Sequence, residues 1–387
     1  MKNPKSVVSV TRTLLAIFCA GIAITLAGCG HRSLPPEQQP ITLGSVLPLT
    51  GNIAEYGKRC KAGAEYAVSE INASGGINGK QIEIIYEDDA GDPKNGVNAI
   101  QKLISVNHVK IVIGAVASSV SLAIEPIATK NNVILFSPAS SSPKLTGISP
   151  YFFRDWPSDV YEATVLAEFV HNELKLSRVA ILYVNNEYGI GLKDEFKRRF
   201  LQLGGQVAVI DSYEQNATDL RAQLTKIKDS NPEAIYLAGY HRDMAVATRQ
   251  IRELGIPAQI LADADYGVEE LLQIAGSSAE GAIYSIPEYD PKKSEPAKRF
   301  SQGFRSRYRT EPSIFEANAY DCVQIIAKAI ATVGTDTTKI SDFIAGIRNY
   351  QGASGDISFG LDREVVKPVA MKQVKDGKFV PYLKKGP

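Results

Sequence analysis

Residues 109–142 read VKIVIGAVASSVSLAIEPIATKNNVILFSPASSS, and the fold follows from how this stretch divides. Residues 109–113 and 133–136 are short runs dominated by Val, Ile, Leu and Phe, the composition of strands buried on both faces. Between them, residues 118–130 carry apolar positions at helical spacing over a length that suits a helix. Strand, helix and strand in succession predict a βαβ unit with its two strands parallel. Each strand runs into small residues: Gly114-Ala115-Val116-Ala117-Ser118-Ser119 after the first, and Ser137-Pro138-Ala139-Ser140-Ser141-Ser142 after the second.

The same rhythm extends in both directions. Strands are expected at 41–47 and 81–86 and helices at 57–73 and 93–107, the first of these helices stopped by Ser74-Gly75-Gly76. Pro138, Pro143, Pro150 and Pro157, set among serines, then interrupt the pattern from 138 to about 158. It resumes with helices at 162–174, 192–203, 220–229 and 244–254, and strands at 179–184, 207–213, 234–238 and 259–262. A second break rich in Pro, Asp and Lys spans 287–296 and reads as a return crossing. Helices at 297–308 and 317–333 follow, then closing strands within 355–380 around an Asp376-Gly377 hairpin signal. The class is α/β with parallel sheets, in two units that each have their own core. A length of 387 residues accommodates both.

The N-terminus is an export address. Lys2, Lys5 and Arg12 precede an uncharged apolar run at 14–27, shorter than the ~20 residues of a membrane span. The run ends Leu26-Ala27-Gly28-Cys29, which resembles the lipobox of bacterial lipoproteins; Cys29 is then the lipidated first residue of the mature chain. Residues 1–28 are read as signal peptide and the proline-rich 29–40 as a tether. Losing the three cations of 1–28 leaves 40 cations against 42 anions, so the mature chain lacks the basic footprint of a nucleic-acid binder. Cys60 and Cys322 lie on helical segments without further Cys or His at ligand spacing, so no metal is expected. In an exported protein they are either a disulfide or two buried thiols. The charged runs 197–199 and 305–309 read as solvated helix faces.

In an open α/β sheet, ligands bind beyond the carboxyl ends of the strands. Ser118 or Ser119 is placed to cap the helix that follows, and a helix N-terminus attracts an anion. The loop containing Ala139, Ser140 and Ser141 adds backbone donors, so the two loops either receive a carboxylate or serve only as caps and turns. In the second unit the strand ends lead to Tyr188, to Tyr240 and to Asp263-Ala264-Asp265-Tyr266. Aromatic walls with an acid suit an apolar body carrying an amine, and the alternative is rim tyrosines and solvated acids. Tyr56 stands in a glycine-bounded loop after the first strand, and Trp156, the only tryptophan, in the first break. No P-loop, dinucleotide fingerprint, His-Glu-x-x-His or Gly-x-Ser-x-Gly elbow occurs, so neither cofactor nor catalysis is expected.

From 41 to about 382 the chain resembles the type I periplasmic binding proteins of the branched-chain amino acid class, the solute receptors of ABC importers. The stretches that carry the resemblance are Leu47-Pro48-Leu49-Thr50-Gly51, Glu70-Ile71-Asn72-Ala73, Gly75-Gly76-Ile77-Asn78-Gly79, Glu87-Asp88-Asp89-Ala90-Gly91-Asp92-Pro93, Ser137-Pro138-Ala139, Gly239-Tyr240-His241 and Tyr320-Asp321. It implies two Rossmann-like lobes joined by three hinge crossovers, with 41–158 and 289–365 in the first lobe and 159–288 and 366–387 in the second. Ligand then sits between the lobes, its carboxylate and ammonium held by Ser118, Ala139 and Ser141, with Tyr56, Tyr188 and Tyr240 as further contacts. The family's acid for the ammonium falls at Ala264, leaving Asp263 or Asp265 to serve after a small loop shift, or a ligand without an amine. The cysteine pair of some relatives falls at Gly91 and Ala117 and is missing as a unit. The reading is a lipid-anchored, extracytoplasmic, monomeric receptor that takes an amino acid with an apolar or aromatic side chain to an ABC permease. The rivals are a sensor or envelope-interaction protein with a vestigial cleft, and an esterase using Ser118.

Overall fold

A computed structural model describes residues 39–383; the expected leader, Cys29 and all but the last two residues of the expected tether lie outside them. The first sheet comprises β1 (Ile41–Leu47), β2 (Ile82–Asp88), β3 (Ile111–Gly114), β4 (Ile134–Ser137) and β5 (Phe152–Arg154), all parallel, in the order β2-β1-β3-β4-β5. Helices α1 (Ala54–Ala73), α2 (Pro93–Ser105) and α3 (Ser118–Lys130) make the crossovers. Successive strand residues point to opposite faces, and both faces are covered. Ile111, Ile113, Ile134 and Phe136 pack with Phe300 and Ile326 on one side, whereas Val112 and Leu135 pack with Leu103, Val120 and Ile124 on the other. That double burial is why these strands show no apolar/polar alternation.

After residues 155–158 the chain enters the second layer. There α4 (Asp159–Asn172) leads to β6 (Arg178–Val184), α5 (Glu187–Gln202), β7 (Gln206–Tyr213), α6 (Arg221–Asp229), β8 (Ala234–Ala238), α7 (His241–Glu253), β9 (Gln259–Ala262), α8 (Glu269–Ala275) and β10 (Ile283–Pro287). Residues 288–294 return to the first layer, where α9 (Glu295–Tyr308), α10 (Ile314–Val333) and α11 (Thr337–Ala345) follow and α10 lies along α1. Ser313 and Glu316 close a capping box at the start of α10. A two-strand ribbon, β11 (Tyr350–Gln351) and β12 (Asp356–Ile357), precedes the last crossing, and β13 (Val369–Lys375) and β14 (Lys378–Pro381) complete the second sheet, β14-β13-β10-β9-β8-β6-β7. The closing pair is antiparallel, its turn holding Asp376 at φ 52° and Gly377 at φ 67°, the two positive angles of a type I′ hairpin.

Two expectations need correction, and the alternative left open for the cysteines is decided. The proline-rich break from 138 to 158 contains strand β5; three residues between Pro150 and Pro157 are too few to show a period. Ser118 does not cap α3, because Ala117 is the N-cap and Ser118 the first helical residue. Cys60 and Cys322 are buried free thiols, not a disulfide. Burial pushes both thiols upward, so neither is a reactive thiolate.

Gly114 shows how closely the strand ends approach each other. Its φ is 136°, and a Cβ there would lie 2.1 Å from the Val46 carbonyl oxygen. Only glycine lets β3 turn beside β1 and aim residues 115–118 into the cleft.

Candidate functional site

A small pocket lies between the carboxyl ends of the two sheets. From the first layer it is lined by Tyr56, Val116, Ser118, Ala139 and Ser141, with Trp156 from the first crossing and Phe315 from the start of α10. Tyr188, Tyr240 and Asp265 close it from the second. Two aromatic stacks frame it: Trp156 on Phe315 at 5.0 Å and Tyr188 on Tyr240 at 5.4 Å.

Donors collect on the first-layer side. Ser118 Oγ accepts the N–H groups of Ser141 (3.2 Å) and Ser142 (3.1 Å), which leaves its own O–H proton for the pocket. Among the described residues the amides of Ser118 and Ser119 have no protein acceptor, as expected of the first turn of a helix. The loop bearing Ala139 and Ser141 is held from behind. Fully buried Arg154 donates to the Ser142 carbonyl at 2.9 Å and pairs with Glu364 at 2.6 Å. Lys367 similarly ties the last crossing to Asp155 of the first at 2.8 Å, both buried, beside Trp156.

The opposite side is acidic. Asp265 brings its carboxyl to the pocket lining beside Tyr56 and Tyr188. Burial, then Glu162 and Asp159, push that carboxyl well above the usual range. Asp263 is buried behind it, where Oδ2 accepts the Gly239 N–H at 2.7 Å and Oδ1 the Asp265 N–H at 2.9 Å. Glu162 accepts the Ala264 N–H at 3.0 Å and the Ser285 hydroxyl at 2.8 Å, and burial pushes it up to about 7. Four carboxyl groups therefore crowd one wall, and a cation entering the pocket relieves them.

The layers also touch outside the pocket. Lys144 pairs with Glu187 at 2.8 Å, Asn52 bonds Asn216, and Tyr56 Oη lies 2.7 Å from His241 Nδ1. The cleft is closed.

Of the residues singled out in the sequence, Tyr56, Ser118, Ala139, Ser141, Trp156, Tyr188, Tyr240 and Asp265 come together. Ser119, Ser140 and Asp263 do not line the pocket. The Ser140 hydroxyl faces inward to the Ala115 and Val116 carbonyls, each 3.0 Å away, and Asp263 shapes its loop. Val116 and Phe315 are additions. Val116 stood in the quoted strand-end loop, whereas Phe315 arrives from a helix whose sequence signals only burial.

With this geometry in view, comparison with known proteins is decisive. Residues 40–378 match the family described as periplasmic binding protein, and the chain belongs to that family. Within it the chain falls in the type I, branched-chain amino acid class. A leucine-, isoleucine-, valine-, threonine- and alanine-binding protein of Pseudomonas aeruginosa is 30% identical over 90% of this chain and 92% of its own. The leucine-binding protein LivK of Thermotoga maritima superposes with a TM-score of 0.84 at 31% identity, covering 89% of this chain and 98% of its own. LivJ of Streptococcus pneumoniae, solved with isoleucine, gives 0.82 at 29% identity over 88% and 97%. The family acts outside the cytoplasm, and no described helix is long and apolar enough to cross a membrane.

Proposed function

We propose that this chain is the receptor of an ABC importer and captures an α-amino acid with an apolar or aromatic side chain. The ligand carboxylate meets the Ser118 hydroxyl, the first amides of α3 and the Ala139–Ser141 loop. Its ammonium meets Asp265, and its side chain lies among Trp156, Phe315, Tyr188 and Tyr240. The carrying observation is the opposition of Asp265 to the serine donors across one small pocket. It supports a zwitterion with its two charges on one carbon, and it favours Asp265 over Asp263 as the counter-ion. The branched-chain ligands named for its relatives have this chemistry. Residues 41–158 with 289–365, and 159–288 with 366–387, are the two lobes that close on it. Lipidation at Cys29 holds the monomeric receptor beside its permease, and no bond of the ligand is made or broken.

The test is a thermal-shift and calorimetric series. L-Leucine, its amine-free analogue 4-methylpentanoate and its carboxylate-free analogue leucinol are compared, followed by the other apolar and aromatic amino acids. At least one amino acid raises Tm, and each analogue of that amino acid binds far more weakly than the parent. Equal binding of the amine-free acid refutes the role of Asp265. Mass spectrometry of membrane-extracted protein tests the anchor: a diacylglyceryl adduct on Cys29 is expected, and an unmodified Cys29 refutes it.

A further inference from the structure

Tyr56 forms a wall of the pocket, but its hydroxyl is engaged on the far side of the cleft, at the start of α7. Tyr56 Oη accepts the His241 backbone N–H at 3.2 Å and lies 2.7 Å from His241 Nδ1. The His241 ring is fully buried, and its Nε2 sits 3.0 Å from Glu270 Oε2 on α8. Glu270 is held ionised by His241 and by Arg242, 2.5 Å away, which offset the cost of its partial burial. A carboxylate only accepts, so the neutral imidazole carries its proton on Nε2. Nδ1 is then an acceptor, and the phenol donates to it from one layer to the other.

We propose that His241 is a positioning residue that latches the closed cleft: through Nδ1 it holds Tyr56 against the second lobe, and it does so as the neutral ring. The proposal rests on the reading of the cleft as a closing binding site, but not on which amino acid it takes. His241 does not itself line the pocket; its effect on a ligand passes through Tyr56, which does.

The latch responds to protons. The groups facing His241 are Tyr56 and Glu55 on α1, Glu270 on α8 and Arg242 on its own helix, with Asp265 beyond the phenol. Burial holds the closed imidazole below its ordinary range, and the Arg242 guanidinium acts in the same direction, while Glu270 and Glu55 oppose them. Opening withdraws Tyr56 and admits water to the ring, which restores proton affinity. The open form therefore takes up a proton first, and falling pH favours opening. A difference of one unit between the two forms changes their ratio by about tenfold once pH lies below both values.

Trp156 is the only tryptophan and lines the pocket, so 5-fluorotryptophan labelling of the full chain in detergent gives one 19F reporter of cleft state. Ligand-free protein is followed from pH 8 to pH 5.5 as wild type, His241→Asn and His241→Phe. Asparagine keeps an acceptor near the Nδ1 position but does not titrate; phenylalanine keeps the bulk and loses the acceptor. The closed resonance of the wild type is expected to lose intensity at low pH relative to His241→Asn, and His241→Phe is expected to be depleted in it throughout. The difference between wild type and His241→Asn isolates the imidazole, because the surrounding carboxyls are common to both. Identical pH curves for those two overturn the proton response, and an undiminished closed resonance in His241→Phe at pH 8 overturns the latch. L-Leucine is added in a separate arm. A wild type that titrates as described but ignores leucine and the other amino acids refutes the amino-acid reading and leaves the latch standing.

Discussion

Replacing Asp265 with asparagine should pull affinity and stability in opposite directions. The substitution keeps the shape of the side chain and one acceptor oxygen beside Tyr56 and Tyr188, and it removes the ionisable carboxyl. A hydrogen bond to a charged group contributes about 1.5–3 kcal/mol. At about 1.4 kcal/mol per decade, the Kd for the cognate amino acid rises roughly 10- to 150-fold. In the empty protein the same carboxyl is a burden, because burial, Glu162 and Asp159 all disfavour its ionised form and Asp263 lies beside it. Ligand-free Asp265→Asn should therefore melt at or above the wild-type temperature at pH 7.5. Calorimetry supplies a further check: amine binding shifts Asp265 toward its ionised form, so the wild type releases protons on binding and its heat depends on the buffer, whereas the variant largely loses that dependence. A variant that binds within threefold of wild type, or that unfolds earlier than wild type without ligand, refutes the assignment.

Other outcomes follow from the same geometry. Ser118→Ala removes the acceptor of two loop amides and the donor aimed into the pocket; titration calorimetry should show affinity reduced at least about tenfold, with a loss of about 1–3 kcal/mol for the unsatisfied amides appearing in urea unfolding. Gly114→Ala places a methyl group against the Val46 carbonyl at a positive φ, and the protein should fail to accumulate in folded form. Arg154→Met leaves Glu364 and the Ser142 carbonyl without their buried partner and should cost about 3–5 kcal/mol by denaturant titration. Burial pushes Asp89, Glu162 and Asp243 each up to about 7. A carboxyl raised in the fold binds protons before the unfolded chain does, so these groups add stability as pH falls from above 7 toward the ordinary carboxylate range. The ligand-free protein should melt higher at pH 5.5 than at pH 7.5, and Glu162→Gln should flatten part of that slope.

Much of the architecture is legible along the chain because its signals are local. Doubly buried strands such as Ile111–Gly114 announce themselves as uninterrupted apolar runs, glycines end α1, and Asp376-Gly377 marks the final hairpin. The pocket loops are legible from their position, since ligands in such sheets lie beyond the strand ends. What escaped are features without a local signature. Strand β5 is three residues long and gains its identity from hydrogen bonds to β4. Helix α11 is short, and Phe315 looks like any other apolar residue on a buried helix.

Side-chain direction is where sequence falls silent. Asp263 and Asp265 are indistinguishable in a string, yet a 3-10 turn places one carboxyl on backbone amides and the other in the pocket. Ser140 and Ser141 are neighbours that face opposite ways, one toward the Ala115 carbonyl and the other toward the cleft. The order of strands and helices, and the chemistry available at their ends, were written in residue type and spacing, because burial and backbone propensity act over a few positions at a time. Which of those groups converge, and that Tyr56 reaches His241 from another layer, required tertiary structure, because such contacts depend on the packing of whole elements whose separation along the chain carries no information about their distance in space.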